Sequence, residues 1–165
     1  MCDDGTKCNH TTAHQEYEKA LRRAFWTQVN DRVRRRCNDL VPFGRVLSQI
    51  GVLKHYSTGI QEILLAAIVG SSGRYNDFDL RFLPRRKDIN DRWVNIAQAH
   101  YDGVQLPPVQ VYKIGDAYYV NDGNHRVSVA RVLGNETINA VVTEIDPSDL
   151  VSDASCNRVG YITKS

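Results

Sequence analysis

The sequence predicts a mixed α+β domain preceded by an α-helical N-terminal extension. Three observations carry that expectation. Apolar residues recur at helical spacing from Tyr17 to Val33. Beyond residue 58 the pattern becomes strand, helix, strand, strand, helix, strand. A chain of 165 residues with 42% apolar and 24% charged residues suits one folded core, and neither a disordered chain nor a disulfide-stapled miniprotein.

Residues 1–13 read as a frayed leader. Tyr17, Ala20, Leu21, Ala24, Phe25, Val29 and Val33 then define one apolar helix face, opposite Lys19, Arg22, Arg23, Asp31 and Arg32. Phe25 or Trp26 is expected to pack rather than to stack on a base. The helix ends in Arg34-Arg35-Arg36, cations that suit its negative end. A short second helix fits residues 43–50, with Pro42 near its first turn and Gly51 just beyond. Residues 1–57 thus form the leader and extension.

The domain is expected over residues 58–146. Residues 60–63 read as a short strand leading into the apolar run 64–69. The loop Gly70-Ser71-Ser72-Gly73-Arg74-Tyr75 follows, where glycines permit tight geometry. After Pro84, the residues Ile89, Trp93, Ile96, Ala97 and Tyr101 mark a helix stopped by Gly103. Leu106-Pro107-Pro108 precedes a strand at 109–114, and the turn Gly115-Asp116 returns it as a hairpin through 117–121. A helix over 123–133 stops at Gly134-Asn135, and 138–145 closes the core as a last strand. Residues 147–165 are a polar tail.

The formal charge of +2 is unevenly distributed. Residues 1–56 hold 10 Lys+Arg against 6 Asp+Glu, whereas residues 106–165 hold 5 against 7. That bias permits a polyanionic partner without requiring one. No apolar run reaches membrane-spanning length, so no membrane partner is expected. The start, Met1-Cys2-Asp3-Asp4-Gly5, lacks the basic and then apolar pattern of a secretory signal, and a cytoplasmic protein is expected. Four cysteines at 2, 8, 37 and 156 form no CxxC pair. Cys2, Cys8, His10 and His14 supply zinc-ligand chemistry, but no apolar surroundings fix their geometry, and a zinc site is not expected.

The chemistry concentrates in the run Asn121-Asp122-Gly123-Asn124-His125-Arg126. A strand ends, a glycine turn follows and a helix begins. The first amides of a helix lack intrahelical partners and sit at its positive end, where anions bind. Gly123 allows close approach to the backbone, while His125 and Arg126 add donors in the first turn, the arginine with a fork suited to phosphate. The plainer alternative has Asp122 capping the helix while His125 and Arg126 satisfy neighbouring protein groups.

The run from Leu106 to Ile145 resembles the ParB/sulfiredoxin-like superfamily. The likeness lies in the proline-marked strand Leu106-Pro107-Pro108-Val109-Gln110-Val111-Tyr112, the returning strand Tyr118-Tyr119-Val120-Asn121-Asp122-Gly123, the Gly-x-His-Arg helix start and the closing strand at 138–145. It extends more loosely over residues 58–146. Members of the superfamily bind CTP and clamp DNA, use ATP with a catalytic cysteine, phosphorylate free serine, or are described as nuclease-like. The resemblance implies a nucleoside di- or triphosphate on the helix start formed by Gly123, Asn124, His125 and Arg126, and Mg²⁺ is expected with it because bound phosphates usually bring that ion. Asn124 stands where a sulfiredoxin has its cysteine, so the reductase chemistry is not expected.

The remaining candidates each carry two readings. Asp122 is a helix cap, a partner of His125, or a carboxylate for Mg²⁺. Arg74 either reaches the same ligand or is an exposed loop arginine. Glu62 is a general base for a kinase-type reaction or a solvent-facing glutamate. Tyr75, Asp77 and Asp79 serve a second substrate or form local Asx turns. Arg32, Arg34, Arg35 and Arg36 contact DNA or RNA in an alternative reading, or simply solvate a helix end. Arg85-Arg86-Lys87 form a further basic cluster at a helix start, where the dipole disfavours cations.

Overall fold

Alternating apolar residues along four of the later segments build the middle of a six-stranded mixed sheet. The computed structural model describes residues 5–49 and 52–147. In chain order the elements are α1 (Gly5–Val33), β1 (Val41–Pro42), α2 (Phe43–Gln49), β2 (Val52–Leu64), β3 (Ile68–Ser71), α3 (Asn90–Tyr101), β4 (Val109–Ile114), β5 (Ala117–Asp122), α4 (Asn124–Val132) and β6 (Thr137–Pro147). The strand order is β1-β3-β5-β4-β6-β2. The β4–β5 hairpin lies at the centre, β6 runs parallel to β4, and β3 runs parallel to β5.

The pleat sends successive residues of β5 to opposite faces. Val120 joins the larger core with Val109, Val111, Ala140 and Val142, covered by Trp93 and Val94 of α3 and Val127 of α4. Tyr119 faces the other way with Ile114 and Ile145, beneath α2, whose Phe43 stacks on Tyr112 at 4.6 Å between centroids. The buried indole of Trp93 donates to Ser128 Oγ at 2.9 Å, so α3 and α4 are joined by a hydrogen bond as well as by packing.

The N-terminal helix begins at Gly5, where the sequence suggested a frayed leader. Tertiary packing explains the difference: Ala13 is fully buried, and the Asn9 amide donates to Asp102 at the end of α3. Tyr17 lies against Trp93 at 5.3 Å, with its hydroxyl donating to the Arg86 carbonyl. The expected single apolar face divides. Ala13, Tyr17, Ala20 and Ala24 are buried, but Phe25 and Trp26 are 59% and 68% exposed and do not pack into the core. Asp31, expected on the polar face, is buried and pairs with Arg81 at 3.1 Å.

Two strands differ from expectation. β2 runs from Val52, its register with β6 extending from Val52 opposite Pro147 to Leu64 opposite Thr137. Its residues 55–62 are exposed, so no burial alternation marks the strand in the sequence. The apolar run 64–69 is broken by a 3₁₀ turn at Leu65–Ala67, after which β3 crosses to the far side of the sheet. A continuous apolar run does not disclose such a break.

Arg131 at the end of α4 closes that crossover. Its guanidinium donates to the carbonyls of Leu65, Ile68 (3.0 Å) and Leu80 (3.2 Å), and lies over the Phe82 ring at 5.1 Å. Replacing it with Met should leave those carbonyls short of donors and cost about 3 kcal/mol. Urea denaturation is expected to show a lower midpoint with an unchanged slope.

Candidate anion site at the start of α4

The turn from β5 into α4 depends on Gly123. It occupies the N-cap position with φ 102°, and no side chain caps the helix. A Cβ there would lie 2.6 Å from Val109 Cγ1 and 3.0 Å from Arg126 Nη2. Asp122, read from the sequence first as a cap, instead pairs with Arg126 at 2.5 Å. The first-turn amides of Asn124, His125 and Arg126 therefore have no intrahelical acceptor.

These residues line a cleft with two adjoining lobes. One, of about 200 Å³, is bounded by Gly73, Arg74, Arg92, Asn121, Asp122 and the stretch from Gly123 to Arg126. The other, of about 350 Å³, is bounded by Asp77, Arg86, Asp88 and Asp91 together with Arg74, Arg92 and His125, which both lobes share. The Gly73–Arg74 loop is held beside β5 by the Ser72 amide on the Val120 carbonyl and by Ser72 Oγ on Asn121, at 2.9 and 3.0 Å. Arg74 has φ 53° and pairs with Asp77 at 3.2 Å.

The structure thus brings Arg74, Asp122, Gly123, Asn124, His125 and Arg126 to one place, but gives them unequal parts. Arg126 is 13% exposed. Its Nη1 donates to the carbonyls of Pro107 (2.5 Å) and Pro108 (3.0 Å), and its Nη2 donates to Asp122. Both terminal nitrogens are committed to the protein, so this arginine fixes the turn against the proline strand. Arg92, which sequence reasoning missed, is exposed and makes no ion pair among the described residues. Its place on the polar face of α3 resembles that of any solvated arginine, and no sequence signal separates it. Asn124 is buried, and its side-chain oxygen has no hydrogen-bond partner.

His125 is 4% exposed and lies edge-on to Phe78 at 5.3 Å. Burial is the main cause that lowers its pKa to about 4; Arg74 and Arg92 lower it further, and Asp77 and Asp122 act the other way. The imidazole is neutral at pH 7. It can offer one donor and one acceptor, while the positive charge at this end of the cleft belongs to arginines and helix amides.

Other sequence candidates lie elsewhere. Glu62 is exposed on β2 and accepts from Thr137 Oγ1 at 2.7 Å; it is not among the residues that line the cleft. Asp79 accepts from the amides of Arg81 (2.9 Å) and Leu83 (2.8 Å), which makes it a buried organiser of its own turn. Arg32, Arg34, Arg35 and Arg36 are exposed at the end of α1. Cys2 and the Cys8 side chain lie outside the described residues, among which no group of His, Cys, Asp and Glu is arranged to hold a metal. No helix among the described residues is long and apolar enough to cross a membrane.

No family model matches the sequence, and no curated protein shows significant similarity to it. Among solved structures, the crystal structure of sulfiredoxin from Arabidopsis thaliana is similar at 19% identity and a TM-score of 0.39, over 50% of this chain and 82% of that one. What the cleft can do therefore rests on this chain's own residues.

Two outcomes follow from the geometry. Gly123→Ala should destabilise by about 2 kcal/mol or more, because a left-handed backbone and a collision with Val109 add; thermal and urea unfolding check this. The pH dependence has a definite sign. Between the ordinary histidine value of 6.5 and the folded value of about 4, the unfolded chain binds the extra proton. The contribution of His125 is complete above pH 6.5 and is lost as pH falls toward 4, by about 3 kcal/mol. His125→Gln should flatten that slope, and the His125 ring resonance should not titrate near 6.5.

Proposed function

We propose that the protein binds the phosphate groups of a nucleoside di- or triphosphate at the start of α4. The observation that carries this reading is an uncapped helix N-terminus opening into a cleft whose nearest free cation is Arg92. The first-turn amides would hold one phosphate, as helix starts commonly do. Arg92 and Arg74 would neutralise the remaining charge from α3 and from the loop after β3.

The fit of the residues supports this ligand class. Gly123 has no Cβ to crowd the turn, and the buried side-chain oxygen of Asn124 beside it has no hydrogen-bond partner in the protein, so it is free to accept from a ligand. A neutral His125 adds a donor without the cost of a buried charge. Asp122, 56% exposed beside the helix start, would be the carboxylate to meet a phosphate-bound Mg²⁺, with its charge partly offset by Arg126. Mg²⁺ would supply charge neutralisation between phosphates. With Glu62 outside the cleft, no base is assigned for hydrolysis or transfer, and the reading is one of binding.

Calorimetry with nucleoside di- and triphosphates in the presence of Mg²⁺ tests it. Binding is expected for the intact protein, and Arg92→Ala should weaken it about ten-fold or more by removing a charge-assisted hydrogen bond. Absence of binding for every such nucleotide, or affinity indifferent to both Arg92→Ala and Arg74→Ala, would refute the proposal.

A further inference from the structure

The second half of α1 has two faces with different fates. Ala20 and Ala24 are buried against Leu83 and Val132, whereas Phe25, Trp26, Val29 and Val33 are exposed. Arg22 lies three and four residues before Phe25 and Trp26, Val29 four and three after them, and Val33 four beyond Val29, so these residues form a single ridge opposite the buried Ala20 and Ala24. Phe25 and Trp26 touch only edge to face, at 5.6 Å, which leaves ring surface available on each.

The ridge is cationic as well as aromatic. Arg22 and Arg23 stand one turn before the aromatic pair, and Arg32, Arg34, Arg35 and Arg36 follow it, all exposed. The one carboxylate between Lys19 and Arg36 is Asp31, which is buried and paired with Arg81. The arginine run is also held in place. The Arg36 amide donates to the Asp31 carbonyl (2.8 Å) and the Arg35 amide to the Arg32 carbonyl (3.2 Å), with Arg35 at φ 53°. This is the hydrogen-bond pattern that closes a helix with a left-handed residue, and it fixes the direction of the run.

From this surface we infer that the ridge of α1 is a docking site for single-stranded nucleic acid. Phe25 and Trp26 supply stacking surfaces for unpaired bases, and the guanidinium groups before and after them meet the phosphates. From Arg22 to Arg34 the helix axis spans about 18 Å, the length of a few extended nucleotides. A second copy of the chain would bring the same arginines face to face. A lipid surface would need a wide, uninterrupted apolar face, whereas here Arg22 stands within the ridge and Arg32 beside it.

The two tryptophans make the test direct, because Trp93 is fully buried and a fluorescence change reports on Trp26. Oligodeoxythymidylate and oligouridylate dodecamers are expected to quench the emission without a blue shift. Trp26→Ala should weaken binding about ten-fold, read by anisotropy of labelled oligonucleotide. The triple variant Arg34→Gln, Arg35→Gly, Arg36→Gln keeps the left-handed closure and should lower the salt dependence by about 0.7 for each phosphate no longer neutralised. Unaltered thermal unfolding of the variants would show that the fold is intact. A blue shift with phosphatidylserine vesicles and none of the quenching would assign the ridge to lipid instead. Dimerisation in sedimentation with Trp26 shielded would assign it to a second copy. Either result, or oligonucleotide binding unchanged in both variants, overturns the inference.

Discussion

The left-handed backbone at Gly123 is the constraint on which the candidate site depends. Because φ is positive there, β5 can stop and α4 can start within one residue. Val109 fills the space that a side chain would need, so the same residue sets both the turn and the packing of α4 against β4. Arg126 completes the arrangement from within the helix by holding Asp122 and the carbonyls of Pro107 and Pro108. Strand, turn and helix are thus fixed by contacts within the protein, an arrangement that would limit the ordering entropy of binding a ligand there.

Behind the turn, α4 is secured at its other end. Ser128 accepts the Trp93 indole in the middle of the helix, and Arg131 gathers carbonyls from both sides of the 3₁₀ turn at its end. Trp93 in turn carries Tyr17, so the N-terminal helix shares the core of the domain that follows it. A residue of α3 one step away from that buried tryptophan, Arg92, faces the cleft. The rigidity of the scaffold and the placement of the free cation have the same origin.

Charge acts locally in this protein. The net charge of +2 predicts little. Arg74 and Arg86 share Asp77, and Asp122 is held by Arg126, which leaves Arg92 and the helix amides to define the field in the first lobe. His125 is kept neutral mainly by its burial, with Arg74 and Arg92 acting in the same direction. Beyond Lys19 the one acid of α1, Asp31, is withdrawn into the core, and the exposed arginines of that half make no ion pair among the described residues.

The local signals in the sequence were strong where one residue type has one physical role. Proline and glycine punctuation located the β4–β5 hairpin, helical spacing located α3 and α4, and the Asp122-Gly123 turn located the helix start, because these depend on backbone preferences of a few neighbouring residues. The chain alone determined the class of fold and the existence of a glycine-led helix end; that this end is uncapped was decided by Arg126, which pairs with Asp122. Long-range packing decided the rest. It divided one apolar stripe on α1 into a buried face and an exposed ridge, and extended β2 through a solvent-exposed stretch. It also turned Arg126 inward and brought Arg92 to the cleft. None of these follows from spacing, because each depends on which surface another part of the chain happens to cover.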